Sequence, residues 1–200
     1  MEKWGIIGGT FDPIHIAHLY IAEVAMKKLN LEKVIFMPAG SPPHKTDRRI
    51  TEASLRLEMV NAAIKGKKGF EVSDYEIQNK GMSYTYKTLE YFNNKKREIY
   101  FIVGSDCLMN LHKWREVDKI FSLCKLVVVT RPGFSKSELI KKKIEFEEKY
   151  NGEIIFLEVE GKDISSTEIK EYIKEGLEIE KLLPKEVIEI INKKGLYRGE

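Results

Sequence analysis

Only two cysteines, Cys107 and Cys124, occur in 200 residues, too few and too far apart for a disulfide framework or a CxxC site. That scarcity points to a reducing, cytoplasmic compartment. No basic segment followed by an apolar one opens the chain, so no leader is expected. No apolar run approaches the roughly 18 residues that a membrane span requires, which excludes a membrane role of that kind. The glycine-built phosphate motifs are missing too. Neither GxxxxGK[ST] nor GxGxxG occurs, which excludes a P-loop and the standard dinucleotide fingerprint. Charge of one sign is also lacking: 34 Lys and Arg face 31 Asp and Glu, for a net +3. That balance argues against nucleic acid as a partner. The Lys-rich stretch 136–150 is interleaved with glutamates, the pattern of a solvated helix face.

What the chain does have is alternation. Short apolar runs at 4–8, 33–38, 70–77, 98–104, 125–130 and 153–159 have strand character. Helical periodicity lies between them, at 15–29, 51–64, 84–93, 106–122, 135–149, 165–175 and 184–194. Strands separated by helices predict an α/β fold, a doubly wound parallel sheet with a short C-terminal helical tail. A single domain over 1–200 is expected, with 160–200 a mainly helical subregion. In such sheets ligands collect beyond the C-terminal strand ends. The segments to inspect are therefore 8–18, 38–46, 104–114, 130–134 and 160–170.

The first of these is the most informative. In GIIGGTFDPIHIAHL (5–19), Gly8 and Gly9 close the first strand, where glycine permits a sharp turn and close ligand approach. Asp12 and Pro13 predict a turn into a helix, with Pro13 at its first position. His15 and His18, three apart, share a face of the first helical turn, beside free N–H groups and the positive dipole end. The arrangement suits a polyanion. A zinc site would use the same histidine spacing, but no third ligand stands nearby. A tight turn followed by two histidines that merely decorate a helix start is the plainer alternative.

GGTFDPIHIAH resembles the GxFDPxHxGH signature of the nucleotidyltransferase superfamily, with Ala17 in place of the usual glycine. The resemblance implies a Rossmann-like fold and transfer of a nucleotidyl group with release of pyrophosphate. A second stretch, ISSTEIK (164–170), is locally a capping box, Ser165-x-x-Glu168. It also resembles the superfamily's ISSTxIR motif, Lys170 replacing arginine and losing its bidentate fork.

The middle loops narrow the resemblance. PPHK (42–45), SYTYKTL (83–89), GSD…W (104–114), TRPG (130–133) and LPKEVIEIINKKGLY (183–197) together are similar to nicotinate-mononucleotide adenylyltransferases, nearly end to end. Lys87 stands where that family usually has Asp. The resemblance implies ATP and nicotinate mononucleotide as partners, with Mg²⁺ arriving on ATP and no protein-bound metal. It implies that His15 and His18 donate to the phosphates with Gly8, Gly9, Thr10 and Phe11 around them. Ile164, Ser165, Ser166, Thr167 and Lys170 would hold the leaving pyrophosphate and nucleotide, and Gly104 and Asp106 the ribose. His44, Lys45, Tyr84, Thr85, Trp114 and Arg131 would receive the mononucleotide, Lys45 neutralising its phosphate and Thr85 and Trp114 holding the ring. Locally, a lone tryptophan such as Trp114 is more often a core residue than a stacking one, and Ser-Pro-Pro is equally a mere stiff loop. Rival readings are another adenylyltransferase, acting on the amide mononucleotide or phosphopantetheine, and a nucleotide-binding sensor without turnover. A homo-oligomer is compatible with all of them.

Overall fold

The computed structural model describes residues 1–40, 50–79, 81–130, 135–160 and 164–199. Six parallel strands form one sheet: β1 (Glu2–Gly9), β2 (Lys33–Pro38), β3 (Phe70–Val72), β4 (Arg97–Gly104), β5 (Lys125–Thr130) and β6 (Ile154–Glu158). Their order is β3-β2-β1-β4-β5-β6, the doubly wound arrangement that alternation predicts. Around them lie α1 (Ile16–Lys28), α2 (Ala53–Ile64), α3 (Tyr75–Gln78), α4 (Thr85–Phe92), α5 (Ser105–Met109), α6 (Val117–Leu123), α7 (Lys136–Tyr150), α8 (Ser166–Glu175) and α9 (Lys185–Lys194).

The pleat explains why the strands are apolar on both sides. Successive side chains point to opposite faces, so Ile7, Phe36 and Val127 enter one core and Ile6, Ile35 and Val128 the other. The first core is roofed by α1, α2, α8 and α9, the second by α4, α6 and α7. The tail helices are part of the main packing, since Ile169, Val187 and Ile191 are fully buried with the strand residues. On α7, Lys142–Glu145 and Lys143–Glu147 pair along the solvated face, as its interleaved charges suggest. Among the described residues no helix is long and apolar enough to cross a membrane.

Three readings need correction. Segment 70–77 is not one strand: β3 ends at Val72 and Tyr75–Gln78 turns into α3. Ser73 Oγ accepts from the Tyr75 N–H, competing with strand pairing at that point. Segment 106–122 is broken into α5, a 3₁₀ turn (Leu111–Lys113) and α6, with Glu116 left-handed between them. Pro13 is not the first residue of α1; the helix begins at Ile16, after a cis Asp12–Pro13 peptide.

If the tail belongs to the same cooperative unit, removing a buried tail side chain weakens everything. Ile191→Ala is expected to cost about 2–5 kcal/mol and to shift one urea transition seen identically by fluorescence and circular dichroism.

Candidate active site

Beyond the C-terminal ends of β1 and β4, the strands either side of the topological switch, lies a cavity of about 370 Å³. Its wall brings together Gly8, Gly9, Thr10, Tyr84, Thr85, Gly104, Asp106 and Trp114, eight of the residues singled out from sequence. The two strand-end glycines do not make the turn. Both remain in β1, in register with Met37 and Pro38. The left-handed residue is Phe11, at φ 50°. Gly9 is needed for space: a Cβ there would press the Phe11 ring at 3.0 Å. Gly40 is constrained more severely, since a Cβ would meet the Glu76 carbonyl oxygen at 2.1 Å.

Tyr84 precedes α4 and provides no side-chain cap, and Thr85, the first residue of the helix, lines the cavity with it. Trp114 is half-buried, edge-on to Phe101 at 6.3 Å, and forms cavity wall as well as core packing. Asp106 is exposed in the first turn of α5.

The histidines lie next to this wall rather than in it. His15 is the N-cap of α1, buried, and stacks on His18 with ring centroids 3.7 Å apart. His18 Nδ1 accepts from the His15 backbone N–H at 3.3 Å. The neutral ring then carries its proton on Nε2, as a donor. Phe11 meets the His18 ring edge-on at 5.0 Å.

The ISST stretch folds back onto this loop. Ser165 caps α8 reciprocally with Glu168, as the capping box predicts. Its hydroxyl donates to the Glu168 carboxylate at 2.7 Å, and the Ser166 hydroxyl donates to the Pro13 carbonyl at 3.0 Å. Both hydroxyls are thus engaged within the protein. Ile164 is in the core and Thr167 is exposed. Lys170 is ion-paired with Asp12. His44, Lys45 and Arg131 lie outside the described residues.

Three groups escaped the sequence reading. Arg56, 1% exposed, donates to the carbonyls of Thr10 (2.7 Å), Ala39 (2.7 Å) and Thr51 (2.9 Å). It thereby ties the loops after β1 and β2 to α2, and burial lowers its pKa. The signal was present: Arg56 falls on the same helical stripe as Met59, Val60 and Ala63. Asp12, read only as a turn residue, is 5% exposed and accepts from Lys170, from the Tyr197 hydroxyl (2.7 Å) and from the Thr51 N–H (3.4 Å). Burial alone would raise its pKa; these donors and the Lys170 charge outweigh it and hold the carboxyl below its usual range. Glu76 lines the cavity and accepts from the Thr88 hydroxyl at 2.6 Å, burial pushing its carboxyl up. A larger cavity of about 660 Å³ has Thr51, Lys170 and Tyr197 in its wall.

A family model described as Cytidylyltransferase-like matches residues 6–172. A probable nicotinate-nucleotide adenylyltransferase of Clostridium botulinum (strain Alaska E43 / Type E3) is 53% identical over 200 residues, all of both chains. The chain belongs to the cytidylyltransferase-like family, among its nicotinate-nucleotide adenylyltransferases. Another member, from Clostridium perfringens (strain 13 / Type A), is 50% identical over 202 residues, again covering both chains fully. Among solved structures, the nicotinic acid mononucleotide adenylyltransferase of Plasmodium falciparum complexed with NaAD has the same fold. Its TM-score is 0.77 at 22% identity, over 98% of each chain. The family relationship agrees with the sheet order and with the two motifs that the fold joins.

Replacing the Arg56 fork with Arg56→Met removes the donors to the carbonyls of Thr10, Ala39, Gly40 and Thr51, for an expected loss of about 3 kcal/mol in urea unfolding. Asp12, with its folded pKa depressed, contributes stability in full above its ordinary range near ~4 and loses it as pH falls through the lower folded value. The urea midpoints of the wild type and Asp12→Asn should therefore differ at pH 7 and converge toward pH 3.

Proposed function

We propose that this chain transfers the adenylyl group of ATP to nicotinate mononucleotide, forming nicotinate adenine dinucleotide and pyrophosphate for NAD biosynthesis. One observation carries the reading. Folding joins two phosphate motifs more than 150 residues apart, through Ser166 to Pro13 and Lys170 to Asp12, beside an aromatic-walled cavity at the strand ends. The full-length relatives bearing that name support it. We take the unit to be the whole of 1–200, working in the cytoplasm.

The attacking group is a phosphate monoester, whose second pKa is near ~6, so it is mostly dianionic at neutral pH. No general base is needed. Catalysis reduces to in-line alignment and neutralisation of charge around the α-phosphorus. The His18 Nε2–H and His15 donate to the phosphates, beside the main chain of Gly9 and Thr10. With the Ser165 and Ser166 hydroxyls engaged, pyrophosphate is left the main-chain N–H groups opening α8 and the ammonium of Lys170. That ammonium has three protons, and its bond to Asp12 uses one. Gly104 and Asp106 border the ribose. The pyridine ring lies between Tyr84 and Trp114, its carboxylate at the uncapped start of α4 by Thr85. From sequence, Lys45 neutralises the incoming phosphate, with His44 and Arg131 nearby. Among the described residues no group of three His, Cys, Asp or Glu side chains is arranged to hold a metal. Mg²⁺ is assigned to the ATP substrate, as the family resemblance implies.

Pyrophosphate release from ATP and Mg²⁺ should be strong with nicotinate mononucleotide and weak with the amide form or phosphopantetheine. Release with none of the three, alongside ATP binding, would favour a sensor. Loss of a preorganised donor in His18→Ala is expected to lower kcat roughly a hundredfold, about 3 kcal/mol; a folded variant with unchanged turnover refutes the role. Trp114→Ala should raise KM for the mononucleotide and leave KM for ATP nearly unchanged.

A further inference from the structure

The loop that carries the two histidines is held from the far end of the chain. Residues 11–15 are all buried. Ser166 donates to the Pro13 carbonyl, and the Ile16 N–H donates to the Leu182 carbonyl at 3.0 Å. Lys170 and Tyr197 both donate to the Asp12 carboxylate, Tyr197 across 185 residues of sequence. From the other side, Arg56 grips the Thr10 carbonyl.

Backbone conformation marks the same contact. Tyr197 is left-handed, at φ 64°, and so is Phe11, at φ 50°, next to Asp12. A bulky L-residue there is strained, and such strain persists only where the surroundings over-determine it. Lys170 lies over the Tyr197 ring at 5.1 Å. The ring is thus fixed between the ammonium and the carboxylate, and its hydroxyl links the chain's last turn to Asp12.

We infer that Tyr197 is a positioning residue for adenylyl transfer: by donating to Asp12, it holds the loop that aims His15 and His18 at the phosphates. The inference rests on the proposed adenylyl transfer. It also gives Lys170 a freedom. While Tyr197 and Thr51 keep the carboxylate answered, Lys170 can turn toward the leaving pyrophosphate without stranding a buried anion. The residue acts through alignment, so its loss falls on turnover rather than on substrate affinity.

Tyr197→Phe keeps the ring and removes only the donor. At a temperature where circular dichroism shows the variant folded, kcat should fall about tenfold, with KM for both substrates within about twofold, because small misalignments of reacting groups are costly. Asp12→Asn should lower kcat as well. The double variant Tyr197→Phe/Asp12→Asn should be no slower than Asp12→Asn alone, since one residue acts through the other. In the ligand-free protein, the imidazole ¹⁵N signals of His15 and His18 should move in Tyr197→Phe while those of exposed His112 stay in place. A folded Tyr197→Phe with wild-type kcat and unmoved histidine signals overturns the inference, and so do multiplicative losses in the double variant. The histidine signals report on positioning even if the wild-type chain makes no dinucleotide, an outcome that would fail the proposed reaction instead.

Discussion

A carboxylate taken almost out of water has to be answered by donors and by charge, and the answer to Asp12 organises this molecule. Its partners come from α8, from Thr51 in the segment leading into α2 and from the chain's last turn, so one buried anion draws three distant segments to the loop after β1. Arg56 supplies the complementary buried cation. It spends its fork on main-chain carbonyls of the loops after β1 and β2, while its charge offsets the Asp12 carboxylate. Neither ion would tolerate burial without this network, because an isolated charge in such a setting costs several kcal/mol. The network makes the strand-end loops a framework on which a polyanion site can be built.

The sheet does the coarser work. A parallel, doubly wound order separates the chain's departures to either side between β1 and β4, leaving a crevice at their C-terminal ends. The lining of that crevice divides between glycines, at Gly8, Gly9 and Gly104, and aromatic side chains, among them Tyr84 and Trp114. This division suits a dinucleotide product, with phosphates near main chain and a flat ring near side chains. In the proposed reaction, the uncapped α4 and the tautomer imposed on His18 add donors with little to reorganise.

The departures from the family pattern fit the same framework. Ala17 packs its small side chain against the first core between the two histidines. Lys170 meets Asp12 with a single ammonium where an arginine would offer a fork, and that leaves protons for a phosphate. Lys87 is exposed on α4, outside the cavity lining, with its ammonium over the ring of Tyr84, which does line it.

Much of this was legible locally. Apolar runs bounded by Gly, Pro and charge mark five strands closely, because strand burial on both faces leaves an uninterrupted apolar signature. The Ser165–Glu168 cap could be read from spacing alone, being a contact within one helical turn. The paired histidines and the ISST stretch carried the resemblance, and the resemblance carried the family. Where local signals competed, the reading failed: Ser73 and the left-handed Glu116 interrupt patterns that apolar content alone would continue. The roles of Asp12, Arg56 and Tyr197 were decided only by the tertiary structure. Each is an ordinary polar residue in its own segment, and each acquires its function from partners tens to nearly two hundred positions away. Periodicity and spacing describe neighbours along the chain; the pairing of buried charges depends on which segments the packed sheet brings together.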